Sequence, residues 1–140
     1  VRAALLDVNV LLALAWPNHQ HHGIAQRWFR DNAEKGWATC GLTQLAFVRL
    51  SSNPAFTADA ALPREAAGLL QTLIQHSGHR FLNSPGAADP AIFANAIGHQ
   101  EVNDAWLVEV ARQNACSLVT LDRRLFGHAR HDRLVELIGA

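Results

Sequence analysis

Methionine is absent from this 140-residue sequence, lysine occurs once, and there are two cysteines and five prolines. It also lacks net charge, a charged leader and any long apolar run, and each absence excludes something. Cys40 and Cys116 stand far apart with no Cys-x-x-Cys spacing. That argues against a disulfide framework or a thiolate zinc site, and for buried, reduced thiols in a cytoplasmic protein. The longest unbroken apolar stretch, residues 10–16, is too short to span a bilayer, so no membrane association is expected. No basic segment precedes an apolar one in the manner of a secretory leader, so no signal peptide is expected. Lys+Arg and Asp+Glu each number 12. A basic footprint over the whole molecule is thereby excluded, and any nucleic-acid contact must come from a local patch or from dimerisation. Eleven of the twelve bases are Arg, the better fork for phosphate. Neither a G-x-G-x-x-G nor a G-x-x-x-x-G-K-[ST] phosphate loop occurs.

What is present is a chain that is 49% hydrophobic and 17% charged, long enough to bury its own core. We read residues 1–140 as a single domain. Short apolar runs at 3–6, 37–40, 79–82, 117–121 and 134–138 predict strands. Helices are predicted at 8–16, 22–35, 43–50 with Thr43 as cap, from Pro63 to near Gly78, and at 90–97, 103–115 and 122–126. Residues 83–89 read as a loop. Alternating strands and helices, with strands apolar throughout, predict an α/β fold whose mostly parallel sheet is covered on both faces. Ligands in such folds bind at the carboxyl ends of the strands.

Two strands end alike, in Leu5-Leu6-Asp7 and Thr120-Leu121-Asp122, and a third acid, Asp104, opens the helix at 103–115. Asp104 shares a face with Leu107, Val108 and Ala111, an expensive place for an unpaired charge. Each Asp taken alone reads first as a helix cap. Together, three carboxylates converging without a basic partner repel one another, and a hard divalent cation such as Mg²⁺ or Mn²⁺ relieves that repulsion. Such an ion activates water and offsets charge in a phosphodiester displacement.

Four blocks then carry a resemblance: Asp7-Val-Asn9-Val-Leu-Leu-Ala-Leu, Thr43-Gln44-Leu-Ala-Phe47-Val-Arg49-Leu-Ser-Ser-Asn-Pro54, Gly98-His-Gln-Glu-Val-Asn-Asp104-Ala-Trp-Leu and Leu118-Val-Thr120-Leu-Asp122-Arg123. In this order the sequence resembles a PIN domain, most closely the VapC-type ribonuclease toxins, over nearly its whole length. The resemblance implies a three-layer α/β/α sandwich and Mg²⁺- or Mn²⁺-dependent cleavage of RNA (tRNA, rRNA or mRNA). It also implies a homodimer and a cognate antitoxin whose C-terminal segment crosses the active-site groove. Residue by residue, Asp7, Asp104 and Asp122 match the family's first, third and fourth acids and form the expected metal set. Asn9 and Thr120 match polar residues that support the acids on the substrate side. The family's second acid is usually Glu, and Gln44 stands there.

An amide at that position brings no charge, and one unit-charge interaction at ~4 Å in an effective dielectric of ~20 is worth about 4 kcal/mol. The expected roles are therefore Asp7 and Asp104 holding the ion, Asp122 orienting water, Gln44 positioning water or the scissile phosphate, and Arg123 meeting phosphate. The alternative is a protein of the same fold that binds RNA or antitoxin and cleaves weakly or not at all, because of Gln44. A haloacid-dehalogenase-type phosphotransferase would want a second Asp two residues after Asp7, where Asn9 stands, and a later Lys.

Among other residues, His19, His21 and His22 cluster without completing a zinc site and read as packing at a helix start. His79 and His99 read as structural, Asp89 as an N-cap, and Glu101 and Glu109 as solvated charges. The segment 123–133 is the most basic stretch, and Arg49 is a second phosphate candidate. The Trp and Phe residues read mostly as core. Surface around Trp16–Phe29 and Phe47–Phe56 is offered as a groove for an antitoxin helix or a second protomer.

Overall fold

Leu5 and Leu6 are inaccessible to solvent on opposite sides of one strand, which is the signature of a sheet sandwiched between two helical layers. The structure is a computed structural model and describes residues 2–129 and 133–139. Its strands are β1 (Ala4–Leu6), β2 (Trp37–Cys40), β3 (His79–Leu82), β4 (Ser117–Thr120) and β5 (Val135–Leu137). Its helices are α1 (Val8–Ala15), α2 (His22–Asn32), α3 (Gly41–Ser51), α4 (Pro63–Ile74), α5 (Val102–Gln113) and α6 (Arg123–His128). The strands lie in the order β3-β2-β1-β4-β5, and every neighbouring pair is parallel.

Side-chain alternation divides the core in two. Ala4 and Leu6 pack with Leu11, Trp37, Phe47 and Leu70 beneath α1–α4. Leu5, Ala38 and Leu118 pack with Leu107, Val110 and Leu125 beneath α5 and α6. The result is the expected α/β/α sandwich. From β1 the chain builds the sheet outward through β2 and β3, then returns to the other side of β1 as β4. The carboxyl ends of β1 and β4 therefore flank the point where winding reverses, where open α/β sheets form their crevice.

Local chemistry sets these ends. Asp7 follows β1 and caps α1, its Oδ1 accepting the Val8 N–H at 2.7 Å. Asp122 follows β4 and caps α6, its Oδ1 accepting the Arg124 N–H at 2.8 Å. The cap reading and the site reading of these acids are thus both satisfied by one geometry. Asp89 is an N-cap as expected, accepting from Ala91 N–H at 2.9 Å. Both cysteines are free and buried, and among the described residues no helix is long and apolar enough to cross a membrane.

Two element predictions are corrected. Thr43 does not start α3. The helix begins at Gly41, and Thr43 sits a turn in, its hydroxyl accepting from Cys40 N–H at 3.0 Å. The helix predicted at 90–97 is only a 3-10 turn, Pro90–Phe93, with none of its residues buried. Its Ile92 and Phe93 are only partly buried, and a segment this short gains little from helix propagation. Of the basic segment 123–133, Arg130, His131 and Asp132 lie outside the described residues.

Candidate active site

Asp7 is 6% exposed and sits at the reversal point. Its position is fixed from both strands. Thr120, the last residue of β4, is fully buried, and its hydroxyl donates to Asp7 Oδ2 at 2.8 Å. The same Thr120 Oγ1 accepts the Asp122 N–H at 3.0 Å. Asn9, in the first turn of α1, donates to Asp7 Oδ2 at 3.3 Å and accepts the Leu121 N–H at 3.1 Å. One hydroxyl and one amide therefore tie the ends of β1 and β4 together around a carboxylate. Because Thr120 is fully buried, it acts through Asp7 and presents no surface to a substrate.

Burial raises the Asp7 pKa from 3.8 to about 6, against the pull of the Thr120 hydroxyl and the Val8 N–H; the charges of Asp104 and Asp122 raise it further. Asp104, at the N-terminal end of α5, is likewise raised by burial, opposed by Arg124 and reinforced by Asp122. Asp7 feels the charges of Asp104 and Asp122, and Asp104 feels that of Asp122, so the three far-separated acids lie within electrostatic reach along one crevice. A carboxylate with a raised pKa in a crevice is a mark of a functional site.

The expectation that the acids converge without a basic partner is corrected. Arg124 Nη2 lies 3.1 Å from Asp104 Oδ2 and 3.5 Å from Asp122 Oδ2, bridging the two. Among the described residues no three His, Cys, Asp or Glu side chains stand close enough to form a ready-made cation cage. The donors nevertheless fit a hard divalent ion in kind, being carboxylate oxygens throughout. Asp104 Oδ2 adds a specific sign of that fit. It is buried, and although Arg124 lies within ion-pair distance, no donor is aligned to hydrogen-bond it.

Gln44 is placed differently from expectation. Its Nε2 donates to Thr39 Oγ1 at 3.0 Å, and Thr39, fully buried on β2, meets His79 Nε2 at 2.8 Å. With Gln44 as donor, the Thr39 hydroxyl donates to a neutral His79, and burial holds the His79 pKa below its ordinary value. Gln44 makes no hydrogen bond to Asp7, Asp104 or Asp122. Arg123 and Arg49 are exposed.

Sequence reasoning missed Arg124, Glu101 and His128. Glu101 is not a solvated charge: its side chain is 16% exposed, it accepts the Ile97 N–H at 3.0 Å, and it lies 3.4 Å from His128. Arg124 and His128 are four apart on α6, facing Glu101 and Asp104, three apart at the start of α5. That matched helical spacing is the signal that was available. Glu109 also departs from the solvated reading, pairing with Arg112 at 2.7 Å. A groove of about 700 Å³ opens beside Asp104, lined by Ala91, Ile92, Glu101, Val108 and His128 among others. The histidines at 19–22 behave as expected of packing: His22 Nδ1 lies 2.7 Å from the Ala13 carbonyl, holding the start of α2 on the end of α1.

A wholly parallel sheet with acids gathered at its reversal point, beneath a short capped helix, defines a class of α/β/α proteins built to handle charged ligands at the strand ends. Within that class the chain belongs to the PIN domain family, whose model matches residues 4–132, and it is of the VapC type. It is 42% identical to Ribonuclease VapC38 of Mycobacterium tuberculosis over 123 residues, 88% of this chain and 87% of that protein. It is 40% identical to Ribonuclease VapC39 of the same species over 128 residues, covering 87% and 90%. Among solved structures it is similar in fold to Mycobacterium tuberculosis VapC20, described as a sarcin-ricin loop cleaving toxin. The TM-score is 0.67 at 14% identity, covering 89% of this chain and 94% of that one. PAE2754 from Pyrobaculum aerophilum matches with a TM-score of 0.60 at 21% identity, covering 91% and 79%.

Proposed function

We propose that this chain is the toxin endoribonuclease of a toxin–antitoxin pair, a hydrolase that cleaves RNA with a divalent cation, Mg²⁺ or Mn²⁺, held by Asp7, Asp104 and Asp122. The observation that carries this reading is the buried Asp7, its pKa raised to about 6 with Asp104 and Asp122 contributing. A bound cation supplies Lewis acidity and lowers the pKa of water near the scissile phosphate. The rest falls to the protein. Thr120 and Asn9 fix the orientation of Asp7, so that its carboxylate is presented without a reorganisation cost. Asp122, anchored as the cap of α6, is assigned the orienting of water. Arg123 and Arg124 supply guanidinium forks for phosphate oxygens at the mouth of the site. The cognate antitoxin and a homodimer belong to the same reading, supported by exposed Leu45, Phe56, Leu62 and Leu69 on and between α3 and α4. The substrate is an RNA, whether tRNA, rRNA or mRNA.

Mapping 5′ ends of total RNA after brief expression tests the reading. Discrete new ends with the parent, absent with Asp7→Asn, are expected, and identical end maps for both would sink it. A second reading, binding without cleavage, is favoured by the bond of Gln44 to Thr39 in place of any bond to the acids. It predicts no Mg²⁺- or Mn²⁺-dependent products from the purified parent and their appearance in Gln44→Glu.

A further inference from the structure

Arg124 lies against the proposed metal set without being part of it. Its Nη2 spans Asp104 Oδ2 at 3.1 Å and Asp122 Oδ2 at 3.5 Å, while its own backbone N–H is bonded to Asp122 Oδ1 at 2.8 Å. The guanidinium thus lies against two of the three carboxylates expected to hold a cation. Its side chain is 44% exposed, against 18% for that of Asp104, so it reaches in from solvent and has room to swing out. The Asp104 oxygen it approaches is buried and lacks an aligned donor. The contact is made through a single nitrogen, without the paired hydrogen bonds of a bidentate Arg–carboxylate bridge. One turn further along α6, His128 lies 3.4 Å from Glu101, a second approach between α6 and the start of α5.

We propose that Arg124 is a built-in counter-ion for Asp104 and Asp122, standing against two of the carboxylates that the proposed cation uses. A divalent ion binds by displacing it from Asp104 and Asp122, and the freed guanidinium then faces the phosphate backbone. The inference rests on the metal-dependent reading above and adds to it an exchange within the chain itself. The ion and the guanidinium are like-charged and repel at these distances, so they compete for the two carboxylates. The chain thereby keeps its acids compensated when no metal is present, and metal loading and phosphate recognition become one event.

The test measures Mn²⁺ affinity calorimetrically and follows the Arg124 side-chain Nε–H resonance by NMR during a Mg²⁺ titration. Arg124→Ala removes an exposed side chain from a short surface helix and replaces it with a good helix former. It is expected to bind Mn²⁺ about three- to tenfold more tightly than the parent, the scale of a part-exposed ion pair. Arg123→Ala, which removes the same charge one residue away, is expected to change the affinity by less than about twofold at moderate salt, where screening mutes distant charges. The Arg124 resonance is expected to shift and lose protection as Mg²⁺ saturates. Equal affinities in parent and Arg124→Ala, or equal gains in both Arg variants, would overturn the exchange while leaving metal binding intact. So would an Arg124 resonance unmoved at saturation. A parent that binds no Mn²⁺, with no binding in Arg124→Ala either, would remove the metal-dependent reading together with the exchange.

Discussion

Replacing Asp7 by Asn is expected to trade function for stability in a pH-dependent way. Asp7 is 6% exposed, and burial lifts its pKa from 3.8 to about 6. Below pH 3.8 the carboxyl is protonated in both folded and unfolded chains, and burial carries no charge penalty. As pH rises from there to about 6 the unfolded chain ionises while the folded chain holds its proton, so the parent loses stability. Above that value the loss levels off at about 3 kcal/mol. The Asn variant escapes it. Its amide oxygen still accepts the Val8 N–H, but its Nδ2 meets Thr120 Oγ1 and Asn9 Nδ2 where Oδ2 accepted from both. That mismatch costs about 1 kcal/mol at every pH. In EDTA, urea unfolding should therefore find the variant less stable than the parent near pH 4 and more stable by about 2 kcal/mol near pH 8. A difference of the same size and sign at both pH values would refute the reasoning. Stability gained at an active-site charge, with activity lost, is the expected direction of such a trade.

Mg²⁺ or Mn²⁺ at about one hundred times its Kd should stabilise the parent by about 2.7 kcal/mol in thermal melts and leave Asp104→Asn unmoved, because only the folded site binds the ion. RNA cleavage should fall as pH drops and the carboxylates protonate. In Thr120→Val the acid limb of the pH–rate profile should lie at higher pH than in the parent, because the lost hydroxyl stabilised ionised Asp7. Gly78→Ala should lower the urea midpoint by the equivalent of about 2 kcal/mol or more. Gly78 has φ +90°, and an added Cβ would collide with the Ala33 carbonyl oxygen, while its own carbonyl accepts from Trp37 N–H at the start of β2.

Much of the site is legible in the amino-acid order alone. Strands β1 and β4 declare themselves as apolar runs ending in Asp, and Asp104 shows its inward face by its spacing from Leu107 and Ala111. These are local properties: a period of 3.6 residues, a run too short for a helix, a cap at a strand end. The turn at Pro90–Phe93 reads as part of a longer helix because its composition suits one, although the chain forms only a single 3-10 turn there.

The sequence by itself determined where the strands fall, most of the helices between them, and that two acids stand at strand ends with a third on an apolar helix face. Backbone propensity and side-chain period act over a few residues, so they can be read from the chain alone. Only the tertiary structure decided that Arg124, and not Arg123, bridges Asp104 and Asp122, that Glu101 meets His128, and that Gln44 serves Thr39 and His79 rather than the acids. Those choices depend on how α6 packs beside the start of α5 and how α3 sits over β2. Such contacts join residues far apart in sequence, and a few ångströms of packing settle which charge faces which.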